Sequence, residues 1–167
     1  LLSGFDAARK IVDNHGAADA TDEFTRQAFE MVTGYAARKA FAIDEENDAT
    51  RDRYGRNSIG QNVLLAKRLV ERGVTFVTVR VNTLGSWDDH TGIEKRMRAK
   101  GPALDQAICS LVTDLYETGL HKKVMVVAMG EFGRTPRVNK NAGRDHWGRV
   151  MSVLMSGGDL KVGQVIG

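Results

Sequence analysis

The sequence predicts an α/β fold with a mostly parallel central sheet, on three observations. Val74-Thr75-Phe76-Val77-Thr78-Val79-Arg80-Val81 is β-branched almost throughout, which suits a strand packed on both faces. Val124-Met125-Val126-Val127-Ala128-Met129 is a second unbroken apolar run and reads as a fully buried strand. Between them Leu104, Ile108, Leu111 and Leu115 form a helical stripe, so strand, crossover helix and strand make a βαβ unit, which is expected to be parallel and right-handed.

Taken in order, residues 1–53 read as an outer helical segment and residues 54–167 as the α/β part, together one structural domain. The helical pattern before Ile43 is weak, with Phe24, Ala28, Met31 and Tyr35 at helical spacing and Thr21 or Asp22 available as an N-cap. Asp44 to Asp48, followed by Arg51, Asp52 and Arg53, reads as a solvated turn or, secondarily, a linker. Asn57 or Ser58 caps a helix whose stripe is Ile59, Val63, Ala66 and Val70, and Gly73 supplies its left-handed stop. After the Val74 strand comes a polar insertion, Asn82 to Lys100, containing Trp87-Asp88-Asp89-His90. The next helix is expected to begin with Pro102 in its first turn and to end at Gly119. A third apolar run, Val150 to Met155, ends at Gly157-Gly158. Asp145 and His146 stand just before it, and they lie at the same sheet edge as the loop after Val124–Met129 if the run is antiparallel or if the loop arcs over before descending.

Composition narrows the function. With 42% hydrophobic and 27% charged residues the chain is that of an ordinary globular protein, and a net charge of +3 is too small to imply nucleic acid by itself. Cys109 has no second cysteine to pair with and lies beside an apolar helix face, so it is expected to be a buried, inert thiol. No apolar run approaches a membrane span, and the first residues show no signal pattern. The chain lacks an initiator Met, opens inside a helical pattern and stops just after a glycine-flanked turn, so it reads as part of a longer protein. There is no GxxxxGK[ST], no GxGxxG and no Gly-x-Ser-x-Gly elbow.

The chemistry is concentrated in two loops. Gly130-Glu131-Phe132-Gly133-Arg134-Thr135-Pro136-Arg137-Val138-Asn139, closed by Gly143-Arg144-Asp145-His146-Trp147, follows the Val124 strand, at the edge where open α/β sheets bind ligands. The other loop offers Asp88 and His90. Each Asp/His pair joins hard oxygen to borderline nitrogen, a donor mixture suited to a divalent metal, although either pair alone is equally a capping Asp beside a surface His. Asp88, His90, Glu131, Asp145 and His146 together could serve one or two ions. Arg134 and Arg144 are the candidates for binding an anion and stabilising its charge during catalysis, or for structural pairing with Glu131 or Asp145. Asn139 and Asn141 are as readily turn residues as donors, and Trp87 and Trp147 wall the site or pack the core. His15 and His121 read as surface or helix-end residues.

Two expectations follow from that arrangement. Asp88 or His90 should lie within about 4 to 5 Å of Glu131 or His146. If the carboxylates converge without metal, repulsion should raise one pKa and draw in Arg134 or Arg144.

Trp87-Asp88-Asp89-His90, Gly130 to Pro136, Gly143 to Trp147, Tyr54-Gly55-Arg56-Asn57-Ser58, the Val74 strand and Gly157-Gly158 closely resemble the family of unknown function numbered 1501, over about Tyr54 to Gly167. That family is abundant in bacteria and often carries an export signal, which implies an exported or periplasmic location. It is similar to the alkaline phosphatase and sulfatase superfamily, which implies a three-layer α/β/α fold with two divalent metals at the carboxyl ends of the strands. The resemblance implies metal-ligand roles for Asp88, His90, Asp145 and His146. Glu131 stands where the superfamily more usually has an Asp-His pair, and Asp89 where a small hydroxyl residue is expected. The superfamily's nucleophile, a Ser, Thr or modified Cys after an early strand, belongs to a part that this chain does not contain.

The function so indicated is a divalent metal-dependent hydrolase-like domain, holding Zn, Mn, Fe or Ca and acting on a small-molecule or polysaccharide phosphate or sulfate ester. The alternative is a non-catalytic anion-binding or envelope-associated module. A nucleic-acid binder using Arg134, Arg137, Lys140, Arg144 and Arg149 comes third and is set aside. Ser86 is the one hydroxyl near the Asp88 loop considered as a stand-in for the missing nucleophile, and its Gly85-Ser86-Trp87 setting reads as a turn, so the chain by itself is expected to have little or no esterase activity even if it binds metal.

Overall fold

A computed structural model describes residues 34–81 and 87–166. The expected Thr21 or Asp22 cap, the Phe24, Ala28 and Met31 stripe, His15 and Ser86 lie outside the described residues.

Among the described residues four α-helices form the body: α1 (Tyr35–Phe41), α2 (Asp48–Tyr54), α3 (Ser58–Glu71) and α4 (Ile93–Glu117). Asn57 caps α3 by accepting a hydrogen bond from the Gly60 amide at 3.0 Å. Gly60 is needed there because a Cβ would stand 2.1 Å from the Tyr54 carbonyl oxygen, so α2 hands over to α3 through a backbone contact. The core gathers Tyr54, Ile59, Val63, Leu64 and Ala107, with Leu104, Leu111, Val79, Val81 and Trp87 packed against it. This is the apolar stripe of α3 laid against that of α4.

Two buried polar hubs fix the helices. Asp114 of α4 accepts from the Tyr54 hydroxyl at 2.8 Å and pairs with Arg53 at 2.6 Å, tying α2 to α4. Burial and the Asp114 carboxylate hold the Tyr54 hydroxyl far above its ordinary pKa, so it stays a donor. Arg68 of α3 donates to the carbonyls of Ala40 and Ala42, each at 2.9 Å, and so satisfies groups that the end of α1 leaves open.

The expected sheet is not formed. Among the described residues the strands make two antiparallel two-stranded sheets, so the three-layer α/β/α arrangement with a mostly parallel sheet is overturned. The strands are β1 (Met125–Met129), β2 (Gly133–Arg134), β3 (His146–Trp147) and β4 (Val153–Gly157). β1 pairs with β4 in the register Met125↔Gly157, Val127↔Met155, Met129↔Val153, and β2 pairs with β3 inside the connection between them. Antiparallel pairing needs only a returning loop, and residues 130–152 supply it; a parallel partner would need a crossover. Of the two courses open to the third apolar run, the antiparallel one is taken. Nor is β1 buried on both faces, since Met125, Val127 and Met129 are exposed.

Val74–Val81, expected as a strand, belongs to none, and the chain bends at Thr75. Val77, Val79 and Val81 are half-buried while Thr78 and Arg80 are exposed, so the segment has the period of a strand and lays one side along Leu65, Ala66 and Leu69 of α3. Helix α4 also differs from expectation, and Cys109 on it is exposed rather than buried. It starts at Ile93, and Pro102 lies in its interior rather than its first turn. Its N-terminal turns are held by tertiary contacts, described next, that compensate for a proline which can donate no backbone hydrogen bond.

Candidate functional site

The loop before α4 and the β1–β4 connection meet at the N-terminus of α4. Gly92 and Ile93 donate their amides to the carbonyls of Asn141 and Ala142 at 3.0 and 2.8 Å, so the connection caps the helix with backbone oxygens. Thr91 and Ala142 form an isolated antiparallel bridge, and the Arg144 amide donates to the Asp89 carbonyl at 3.2 Å. Gly143 permits this approach: a Cβ there would stand 1.9 Å from the carbonyl carbon of His90.

Asn139 organises the junction. Its Oδ1 accepts from the amides of Asn141 at 2.9 Å and Gly143 at 3.0 Å, closing a tight turn. Its Nδ2 donates to the His90 carbonyl at 3.2 Å and to Asp145 Oδ1 at 2.9 Å, so one amide side chain joins both loops. Thr135 and Asp145 cross-link the base of the turn: the Thr135 amide donates to the Asp145 carbonyl at 3.0 Å, and the Asp145 amide to Thr135 Oγ1 at 3.2 Å.

The short β2–β3 ladder sets the chemistry. Arg134 and His146 are directly paired, which places their side chains on one face of the ladder. Both reach Asp88 Oδ1, His146 Nε2 at 2.7 Å and Arg134 Nη2 at 2.5 Å, while His90 Nδ1 stands 3.3 Å from the same oxygen. Asp88, His90 and His146 each present one donor atom, and all three atoms lie within 4.8 Å of one another. The His90 and His146 rings are 4.8 Å apart, and Phe132 packs on His146 at 4.6 Å.

Hydrogen bonds from His146, then Arg134, hold the Asp88 carboxyl down at about 2. This corrects the expectation of a raised carboxylate: the other two acids do not converge on Asp88, and a guanidinium does. Glu131 is exposed and joins no ion pair among the described residues, and Asp145 is engaged by Asn139. Neither belongs to the three-residue cluster. Arg144 is spent on the carbonyls of Thr135 at 2.8 Å and Pro136 at 3.0 Å, so it holds the turn rather than facing the cluster.

Sequence reasoning left Asn139 as a possible turn residue and passed over Phe132 and Lys100. A phenylalanine inside a polar loop is the signal for the contact of Phe132 with the His146 ring. Nothing local in the sequence pointed to Lys100, which lies eleven residues from its buried partner Asp89.

Among the described residues no helix is long and apolar enough to cross a membrane. A family model described as protein of unknown function, DUF1501, matches residues 1–167. No curated protein and no solved structure matches the chain.

Proposed function

The chain belongs to the DUF1501 family of proteins of unknown function, and from its geometry we propose that Asp88, His90 and His146 hold one divalent metal ion beside Arg134, in a site for a phosphate or sulfate ester. The convergence of three donor atoms within 4.8 Å carries this reading. Donors sharing an ion at tetrahedral angles sit about 3.4 Å apart for bonds near 2.1 Å, so the cluster needs only small side-chain rotations to fit. One carboxylate with two imidazoles suits Zn, Mn or Fe better than Ca, which prefers oxygen throughout.

A bound divalent ion would polarise an ester oxygen and offset the negative charge that develops on it. The protein's own contribution is positioning. Arg134 lies against the carboxylate that would bind the metal, and a cation there competes with it for Asp88. Its guanidinium fork would then be available for two oxygens of a tetrahedral anion on the same face. Phe132 shields one side of His146 from water. The kinship with alkaline phosphatases and sulfatases that the motifs suggest belongs to this proposal, as does an exported location.

A second reading, the non-catalytic anion-binding module, is favoured by one observation. The hydroxyl of Thr135, next to Arg134 in sequence, is turned to the Arg137 carbonyl at 2.9 Å. Covalent hydrolysis needs an aligned nucleophile.

Turnover of aryl phosphate and aryl sulfate, with added Zn or Mn, separates the two. The hydrolase reading expects metal-dependent turnover that Asp88→Asn abolishes. Metal-dependent binding of phosphate or sulfate without turnover supports the module. Turnover that needs no metal, or survives Asp88→Asn, contradicts both.

A further inference from the structure

Asp89 stands between two candidate ligands yet faces away from them. The Asp89 amide donates to the Trp87 carbonyl at 3.0 Å, so the chain turns tightly through Asp88, and Asp89 can leave the side on which Asp88 and His90 meet His146 by turning back into the body. It does so. Asp89 and Lys100 are each 3% exposed, and Lys100 Nζ lies 2.6 Å from Asp89 Oδ2. Arg96, one turn earlier on α4, approaches Asp89 Oδ1 at 3.4 Å. The Lys100 ammonium also sits over the Trp87 ring, 5.1 Å from its centre, and Trp87 Nε1 donates to the Val81 carbonyl at 2.8 Å. The residue behind the site is thus fastened to α4, and its neighbour Trp87 to the Val74–Val81 segment.

We propose that the buried Asp89–Lys100 pair is a positioning element for the metal site, clamping the loop from behind so that Asp88 and His90 present their donors towards His146. This rests on the metal reading above. A buried ion pair gives little net stability, because desolvation of both charges offsets their attraction, so holding a loop in register is the better explanation of its presence. The alternative is that the pair merely stabilises α4. The two differ in outcome when both charges are removed together. Replacing a buried pair by apolar side chains of similar volume is often neutral for folding, yet it removes the directional link between loop and helix.

The test uses Co(II), whose visible spectrum reports ligand geometry, with the full chain as wild type, Asp89→Leu/Lys100→Met and Asp89→Asn. The double variant should keep a thermal midpoint close to wild type, bind Co(II) about 10- to 100-fold more weakly and show an altered visible spectrum, as changes behind metal ligands typically do. Asp89→Asn, which preserves shape and one hydrogen bond to Lys100, should fall between them and serves also if the double variant fails to fold. Co(II) affinity and spectrum unchanged in the variants, with wild type binding normally, overturn the positioning role alone. A wild type that takes up no Co(II) overturns the metal reading, and this inference with it.

Discussion

The helical body and the loop junction are held together in different ways. In the body, Tyr54, Ile59, Leu64 and Ala107 are almost wholly buried, and the charges that enter, on Asp114 and Arg68, have their hydrogen bonds satisfied. In the junction the links are backbone amides, one asparagine side chain and a glycine that lets two chains touch. The body is stabilised by removing apolar surface from water, a force without directional preference. The junction depends on hydrogen-bond geometry, which is not. Its polar side chains remain partly exposed, Asp88, His90 and His146 among them.

Damage to one region should therefore leave the other's property intact. The largest effect expected on the body is from Leu64→Ala, which opens a cavity in the core and should cost about 2 to 5 kcal/mol of stability. Denaturant unfolding measures this, and metal affinity of the folded protein should be unchanged. Gly143→Ala is the converse. Its methyl would enter the His90 carbonyl group, so the loops must separate, and metal affinity should fall about 100-fold or more while α3 and α4 keep their protection from hydrogen exchange. Equal loss of protection throughout the chain would show the two regions to be one cooperative unit.

The difference between regions is also a difference in what the sequence made legible. The cap at Asn57 and the α3 stripe could be read directly, because local hydrogen bonding and 3.6-residue periodicity specify them. The first turns of α4 could not: Gly101-Pro102 reads as a break, and what holds Glu94 to Lys100 helical lies in the Asn141 and Ala142 carbonyls and in Asp89. The run at Val124 was legible as a strand but not in its partner, since an apolar run does not encode which edge it joins, and the run at Val74, expected as a strand too, forms none. So a parallel crossover was expected where β1 returns antiparallel to β4.

At the site, Asp88, His90 and His146 stood out as ligand-type residues, but so did Glu131 and Asp145. Only the two-residue ladder, pairing Arg134 with His146, decides which side chains face Asp88. A register that short leaves no periodicity to read. Asn139 was ambiguous for the same reason, since a turn asparagine and one that bridges two loops look alike until the second loop is in place.

Within the junction the effects become smaller and sharper. Arg134 lies on the carboxylate that a metal ion would need on the proposed reading, so Arg134→Gln should tighten Zn or Mn binding about tenfold in the absence of anions, by removing a like charge. The same change should weaken phosphate or sulfate binding to the metal-loaded protein. Weaker metal binding in Arg134→Gln, measured calorimetrically, would make Arg134 a support for the ligands and not a competitor.

The smallest effect is a titration. Because Asp88 is held at about 2 by His146 and Arg134, below its unfolded value, its contribution to stability is complete above about pH 4 and is lost as pH falls through about 2. Carbon NMR of the metal-free protein should place the Asp88 midpoint near 2, rising towards the ordinary value in Arg134→Gln. A wild-type midpoint near 4 would mean that these contacts do not persist in solution.

The central claim, that three side chains from two loops share one ion, is tested most directly by calorimetric titration of the metal-free protein with Zn and Mn, for wild type and His146→Ala. One ion per chain is expected for wild type, with affinity reduced about 100-fold or more in the variant, since a lost ligand should cost at least as much as the loss of a residue supporting one. Uptake that is absent in wild type, or that is the same in His146→Ala, would contradict it.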